Sequence, residues 1–262
     1  MSPSELPKVA LLDADILTYR IGFASEDETE QVALARVKEV VLEIVYNDLE
    51  CDDYMAYITG ANNFRKDIAV TAPYKGNRKE LVKPKHYHAI REHLVRLGAT
   101  LVVGMEADDA IAIKAQEGNY WICSIDKDLD QLEGWHYNFV KKEKYYVTNW
   151  QGLVSFYSQI LTGDRIDNVV GLKGIGPVKA AKILQDCKTE KELYDACLKA
   201  YNGDEARVIE NARLLWLLRT PQQVWSPPLS LQDSSGGSST QTTSASTDSA
   251  TPQRKKSRSK RG

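Results

Sequence analysis

The sequence predicts an α/β protein: a mostly parallel sheet covered by helices, followed by a helical module. Three observations carry that reading. Short apolar runs alternate with helical periodicity between Lys8 and Ile125, several of those runs stop abruptly at carboxylates, and from Trp150 onward the pattern is helical.

Lys8 to Leu12 reads as the first strand, broken by Asp13-Ala-Asp15 before Ile16, Leu17 and Tyr19 begin a periodic segment. From Thr29, apolar residues at Ala33, Val37, Val40, Val41, Ile44 and Val45 give an amphipathic helix reaching to near Asp52. Tyr54 to Thr59 is the second strand, and it ends in a polar loop, Gly60 to Asn63, instead of an acid. Leu101, Val102 and Val103 read as a buried strand running into Glu106, Asp108 and Asp109 at the start of a helix. Tyr120 to Ile125 is another buried strand, and it stops at Asp126 and Asp128. His136 to Val140 and Tyr145 to Thr148 form a peripheral hairpin.

In a parallel sheet covered on both faces, all strand carboxyl ends share one edge, where open α/β sheets place their ligands. Asp13, Glu106, Asp108, Asp109, Asp126 and Asp128 therefore converge there. A single acid at a helix start is stabilising by itself, since it faces unpaired N–H groups and the positive end of the dipole. Acids at three of four strand ends exceed what capping needs. Like charges so close cannot all stay ionised, and a hard divalent cation removes the conflict. Mg²⁺ suits oxygen ligands next to phosphate, and Mn²⁺ is an acceptable substitute.

Between Phe64 and Arg96 lie nine Lys or Arg, three acids and three of the four histidines. Pro84 is expected to open a helix carrying His88, Arg91 and Arg96. Cations such as Arg65, Lys75, Arg78 and Lys83 interleave with Phe64, Tyr74 and Tyr87, a pattern that grips phosphates and stacks bases. The alternative is a solvated charged loop.

The segment Thr162 to Lys179 reads as helix, glycine hairpin, helix. Gly174 and Gly176 can expose N–H groups to a phosphate, Pro177 starts the next helix, and Lys173 and Lys179 add charge. Asp164 and Asp167, at i and i+3 of a helix, would share a face and extend the metal site. Helices at about Glu190 to Tyr201 and Glu205 to Leu218 read as packing. Beyond Pro227 the Ser-, Thr- and Gly-rich composition predicts a disordered tail with a basic end, Arg254 to Arg261, adding non-specific nucleic-acid affinity.

The formal net charge of -2 hides an asymmetry, because six basic residues after Ser230 face only Asp233 and Asp248, leaving -6 for the rest. No apolar run suggests a membrane span, and the first residues lack the features of a secretory signal, so a cytoplasmic location is expected. Cys51, Cys123, Cys187 and Cys197 have neither zinc nor disulfide spacing and are expected to be core thiols.

Asp13, Tyr74-Lys-Gly-Asn-Arg78, Glu106-Ala-Asp-Asp109, Asp126-Lys-Asp128, Gly163-Asp164 with Asp167-Asn168, and Gly171-Leu-Lys-Gly-Ile-Gly176 occur in the order seen in the 5′-nuclease (flap endonuclease) family, which the chain resembles from Lys8 to Leu218. The resemblance implies a PIN-like core over 1–149 with a helical arch from about 64–96, a helix-three-turn-helix module over 150–226 that can hold K⁺, and the tail over 227–262. It implies two Mg²⁺ ions held by Asp13, Glu106, Asp108, Asp126, Asp128, Asp164 and Asp167, with Asp109 acting through water. Lys75 and Arg78 match the family's substrate-facing arch residues and are expected to be catalytic. The family often has an Asp just after the second strand, where this chain has Gly60 to Asn63.

The expected function is metal-dependent hydrolysis of DNA at or near 5′ ends, as exonuclease, flap endonuclease or both, in replication, recombination or primer removal in phage or bacteria. DNA with 5′ ends or flaps, or an RNA–DNA hybrid, is the expected partner of a monomer that binds no membrane. Two rivals stand beside it. Val9 to Asp15 also resembles the aspartyl-nucleophile motif of haloacid dehalogenase-type phosphatases, and a non-catalytic, structure-specific DNA-binding protein would share the basic segments.

Overall fold

The first strand becomes the centre of the sheet, and later strands add outward on both of its sides. The computed structural model describes residues 5–228; the expected tail from residue 229 on lies outside the described residues. Strands β1 (Val9–Asp13), β2 (Asp53–Asn63), β3 (Thr100–Gly104), β4 (Trp121–Cys123), β5 (Gly134–Asn138) and β6 (Glu143–Val147) form one sheet in the order β3-β2-β1-β4-β5-β6. Every pairing from β3 to β5 is parallel, and β6 closes an antiparallel hairpin on β5.

Period-two alternation sorts the central strand between two layers. Ala10 and Leu12 face a core with Leu17 and Ile21 of α1 (Ala14–Ala24), Val37 and Val41 of α2 (Glu30–Leu42), and Ile90 and Leu94 of α4 (Tyr87–Arg96). Leu11 faces the opposite layer with Ile111 and Ala112 of α5 (Ala107–Ala115), Ile122, Leu129 and Leu217. A short helix α3 (Arg65–Ile68) and a 3₁₀ turn (Gly76–Glu80) lie between β2 and α4.

Several local expectations change. β3 is an edge strand with Leu101 and Val103 exposed and only Val102 buried, because one of its faces has no covering helix among the described residues. Gly60 to Asn63 continues β2 through a bulge, with Asn62 in the left-handed region at φ 62°, so the expected loop is strand. β4 is only three residues long, since Ser124 turns aside to donate its hydroxyl to Asp13 and accept the Asp126 N–H. Pro84 does not open α4. It packs on Gly22 of α1, where an added Cβ would lie 2.5 Å from Pro84 Cγ, and the helix starts three residues later.

The later segment is helical as expected: α6 (Asn149–Thr162), α7 (Pro177–Leu184), α8 (Glu190–Ala200) and α9 (Glu205–Leu215) enclose a third core around Phe156, Tyr157, Ile160 and Leu193. Thr148 and Gln151 start α6 with a reciprocal capping box. Gly152 lets α6 rest directly on the Gln131 backbone, where a Cβ would meet the carbonyl oxygen at 2.5 Å. Sheet and helices thereby form one compact unit up to Pro228. Cys51, Cys123 and Cys197 are buried free thiols, whereas Cys187 is half-buried. No described helix is long and apolar enough to cross a membrane.

Candidate active site at the carboxyl edge of the sheet

The strand order reverses direction at β1, with β2 on one side and β4 on the other, and the crevice beyond their carboxyl ends is the ligand position of open α/β sheets. A cavity of about 650 Å³ opens there, lined by Asp13, Glu106, Asp108, Asp126, Asp128, Asp164 and Asp167 together with Tyr74, Lys75 and Arg78.

Each acid is placed by a local backbone rule. Asp13 caps α1: its Oδ1 accepts the N–H groups of Asp15 and Ile16 at 3.1 and 3.2 Å, and its Oδ2 accepts the Ser124 hydroxyl at 2.8 Å. Burial, then Asp15, pushes its carboxyl up to about 7 against the pull of those hydrogen bonds. Burial, then Asp13 and Asp126, holds Asp108 well above the usual carboxylate range. Asp126 caps the 3₁₀ turn Lys127–Gln131 by accepting the Asp128 N–H, and burial raises it. Asp128 accepts a hydrogen bond from Gln159 of α6 and is pushed up to about 7 by burial and then Asp126.

Asp164 and Asp167 are not helical. They sit in a turn between two-residue strands β7 (Gly163–Asp164) and β8 (Val169–Val170), where Asp164 Oδ1 accepts the N–H groups of Ile166 and Asp167. The turn still delivers them: one carboxylate oxygen each from Asp128, Asp164 and Asp167 lie within 4.8 Å of one another.

The basic segment meets these acids directly. Tyr74 Oη bridges Glu106 Oε2 at 2.8 Å and Asp167 Oδ2 at 2.6 Å. The Lys75 ammonium contacts Glu106 and lies 3.5 Å from Asp167, while Arg78 Nη2 donates to Asp167 Oδ1 at 2.6 Å. Lys75 adopts φ 54°, held by donating its own N–H to the Asp167 carbonyl at 2.8 Å. Such a conformation in a non-glycine residue is sparsely populated and clusters at functional sites.

Asp13, Asp108, Asp126, Asp128 and Asp164 have no ion-pair partner among the described residues. An all-oxygen donor set that the protein's own cations leave uncompensated fits a hard divalent cation.

Three expected roles fail on geometry. Asp109 is fully buried and both its oxygens are used: Arg65 donates to them at 2.6 and 2.7 Å, Glu106 N–H at 3.0 Å and Leu218 N–H at 3.1 Å. It is a structural carboxylate with no free lone pair directed at the cavity, so it leaves the metal set. Arg65 borders the cavity but is 1% exposed and gives two further donors to the Leu214 and Trp216 carbonyls, so its guanidinium is committed to protein groups and not presented as an exposed phosphate grip. Tyr74 is buried with its hydroxyl between two carboxylates, which removes it as a base-stacking platform.

The other expected DNA contacts are not among the residues lining the cavity. Lys83 is exposed over the Tyr87 ring at 4.6 Å. Lys173, Gly174, Gly176 and Lys179 form an exposed surface where α7 begins, with Lys179 Nζ donating to the Gly174 carbonyl at 2.8 Å.

Sequence reasoning missed the supports. Ser124 stands two residues before Asp126 at a strand end, and that position alone could have flagged it. Gln159 on α6 and the pair Arg91–Asp15, 2.7 Å apart at the cavity rim, are joined only by tertiary folding. Glu210 lies on a helix whose sequence signals only packing, yet it accepts the N–H groups of Val70 and Thr71 and so anchors the approach to Tyr74 and Lys75.

Fold and site together define an α/β protein with a carboxylate-lined cavity at the carboxyl edge of its sheet. No family model matches the chain. It is 27% identical over 232 residues to a 5′-3′ exonuclease of Mycoplasma genitalium, covering 72% of this chain and 75% of that protein. It is 26% identical to the flap endonuclease Xni of Shewanella putrefaciens, covering 72% and 78%. A thermostable DNA polymerase I of Thermus caldophilus is 31% identical over 68% of this chain but only 24% of its own length. The chain thus spans three quarters of the mycoplasma exonuclease and a small part of the polymerases it matches, 12% for that of Borreliella burgdorferi. The bacteriophage T5 D15 flap endonuclease shares the fold, with a TM-score of 0.60 and 17% identity over 79% of this chain and 88% of that one. The chain is thus similar to proteins named 5′-3′ exonuclease and flap endonuclease, and it shares the fold of the T5 flap endonuclease.

Proposed function

We propose that the protein is a divalent-metal-dependent 5′-nuclease that hydrolyses DNA phosphodiesters at or near 5′ ends, as exonuclease, flap endonuclease or both. The observation that carries the reading is the meeting of seven carboxylates from three strand ends and one turn, with Lys75 and Arg78 beside them, in one cavity. Asp13, Glu106, Asp108 and Asp126 would hold one ion, and Asp128, Asp164 and Asp167 a second. When bound, such ions neutralise charge on the phosphate and make water a ready nucleophile at neutral pH. Mg²⁺ is the proposed ion, with Mn²⁺ able to replace it.

The chain's own groups do the rest. Ser124 and Gln159 fix the orientation of Asp13 and Asp128. Tyr74 spans Glu106 and Asp167, holding the two halves of the acidic set together. Lys75 and Arg78 supply positioned positive charge for the phosphate oxygens as charge develops on them. The exposed loop at Lys173 to Gly176 with the start of α7 is proposed to hold one DNA backbone away from the site, K⁺ being a candidate ion there. The division into a nuclease core to residue 149 and a DNA-holding helical part to 226, the monomeric state, and action on RNA–DNA hybrids belong to the same proposal.

The phosphatase alternative leaves Lys75, Arg78 and the turn bearing Asp164 and Asp167 without a part, although they line the same cavity as Asp13. A pure DNA-binding role gives unpaired carboxylates nothing to do but repel phosphate. The test is cleavage of a 5′-labelled flap and a nicked duplex with and without Mg²⁺. Product lengths separate the cleavage modes, and loss of cleavage in chelator is expected; Mg²⁺-independent cleavage or none at all would sink the reading.

A further inference from the structure

Arg65 is a buried guanidinium tied to two distant segments at once, the start of α5 and the end of α9. It donates to both oxygens of Asp109 at the start of α5, to the Leu214 carbonyl at 2.9 Å and to the Trp216 carbonyl at 2.7 Å beyond α9. Breaking one partner of a buried pair is strongly destabilising, yet apolar replacement of the whole pair is often neutral, so stability alone does not explain its presence. Its neighbours suggest a second task. Asp109 closes a reciprocal capping box with Glu106, accepting the Glu106 N–H at 3.0 Å, and Arg65 Nη1 itself lies 3.8 Å from Glu106 Oε2. Leu218 donates its N–H to Asp109 at 3.1 Å, so the strap leaving the helical part is pinned to the same carboxylate.

We propose that Arg65 is a positioning residue: through Asp109 it sets the Glu106 carboxylate at the acidic cavity and makes that setting depend on the docking of the 214–218 strap. The inference rests on the reading of the cavity as a divalent-cation site. Although Arg65 borders the cavity, its hydrogen bonds go to Asp109 and to two backbone carbonyls. It acts as the outer partner of a ligand, a class of contact whose loss costs about 10- to 100-fold in metal affinity. The planar fork is essential, because lysine keeps the charge but cannot hold two carboxylate oxygens and two carbonyls together.

The test uses the full chain and two variants, Arg65→Lys and the charge-balanced Arg65→Met/Asp109→Asn. Mn²⁺ binding is followed by electron paramagnetic resonance of the free ion, flap-DNA binding in Ca²⁺ by titration, and folding by thermal melting. Expected is a loss of Mn²⁺ affinity of about tenfold or more in each folded variant, with DNA affinity within about twofold of the parent. Parent-like Mn²⁺ affinity in a folded variant overturns the inference alone. Equal losses of Mn²⁺ and DNA binding, or unfolding of both variants, would make Arg65 a folding strut and also overturn it. Absence of Mn²⁺ binding in the parent would instead remove the cation-site reading and the inference with it.

Discussion

Arg78 Nη2 lies 2.6 Å from Asp167 Oδ1, so a cation read in the sequence as reaching over the substrate is in direct contact with the acidic cluster. Lys75 repeats the arrangement between Glu106 and Asp167. Cations expected to face a phosphate thus rest on carboxylates expected to hold a metal.

Lys75→Ala is predicted to lower single-turnover cleavage by roughly two orders of magnitude, the usual loss for one preorganised electrostatic donor, with only a modest loss of DNA affinity. Arg78→Ala should act in the same direction. Cleavage at saturating Mg²⁺ is compared with DNA titration in Ca²⁺. Equal losses in the two would leave Lys75 as a DNA-holding residue without a catalytic part.

Asp126→Asn and Asp128→Asn are predicted to abolish cleavage while leaving DNA affinity equal or higher, since each removes a carboxylate oxygen donor and a negative charge facing phosphate. Near-normal turnover in both variants would take these residues out of the metal set.

Stability of the metal-free protein should fall as pH rises. Asp13 and Asp128 are pushed up to about 7 in the folded chain, against an ordinary carboxyl near 4. Between those values the folded state binds more protons than the unfolded one, so stability is fully present below about pH 4 and is lost as pH passes through about 7. Melting in chelator from about pH 5 to pH 8 should show a falling transition temperature attributable to these groups, and Mg²⁺ should restore more at the upper end. A rising transition temperature across the window would contradict the account.

Gly171→Ala should destabilise the turn that carries Asp164 and Asp167. An added Cβ there would lie 2.2 Å from the Thr162 carbonyl carbon and 2.3 Å from the Gly163 nitrogen. Gly163→Ala meets Gly171 in the same way and adds a positive φ of 69°. The expected cost is about 1–3 kcal/mol each, as for other strained backbone positions, with weaker Mn²⁺ binding. Unchanged melting and Mn²⁺ affinity would show that the turn relaxes freely.

The sequence by itself determined the alternation of strand and helix, the meeting of acids at one sheet edge, and the run from Tyr74 to Arg78, because these follow from local periodicity and from the rule that parallel strands end together. Tertiary structure decided which of those residues are free to act. Asp109 and Asp108 are adjacent acids on the same helix start, yet Asp109 is saturated by Arg65 and two backbone N–H groups, whereas Asp108 faces the cavity unpaired. Arg65 and Tyr74 look in sequence like substrate contacts, and burial turns both inward. Asp164 and Asp167 reach Asp128 through a β-turn that no helical spacing foretold. The reason is physical: a residue's type and spacing define what it can donate or accept, but whether those valences remain open depends on partners about 40 to 150 residues away that only folding brings within 3 Å.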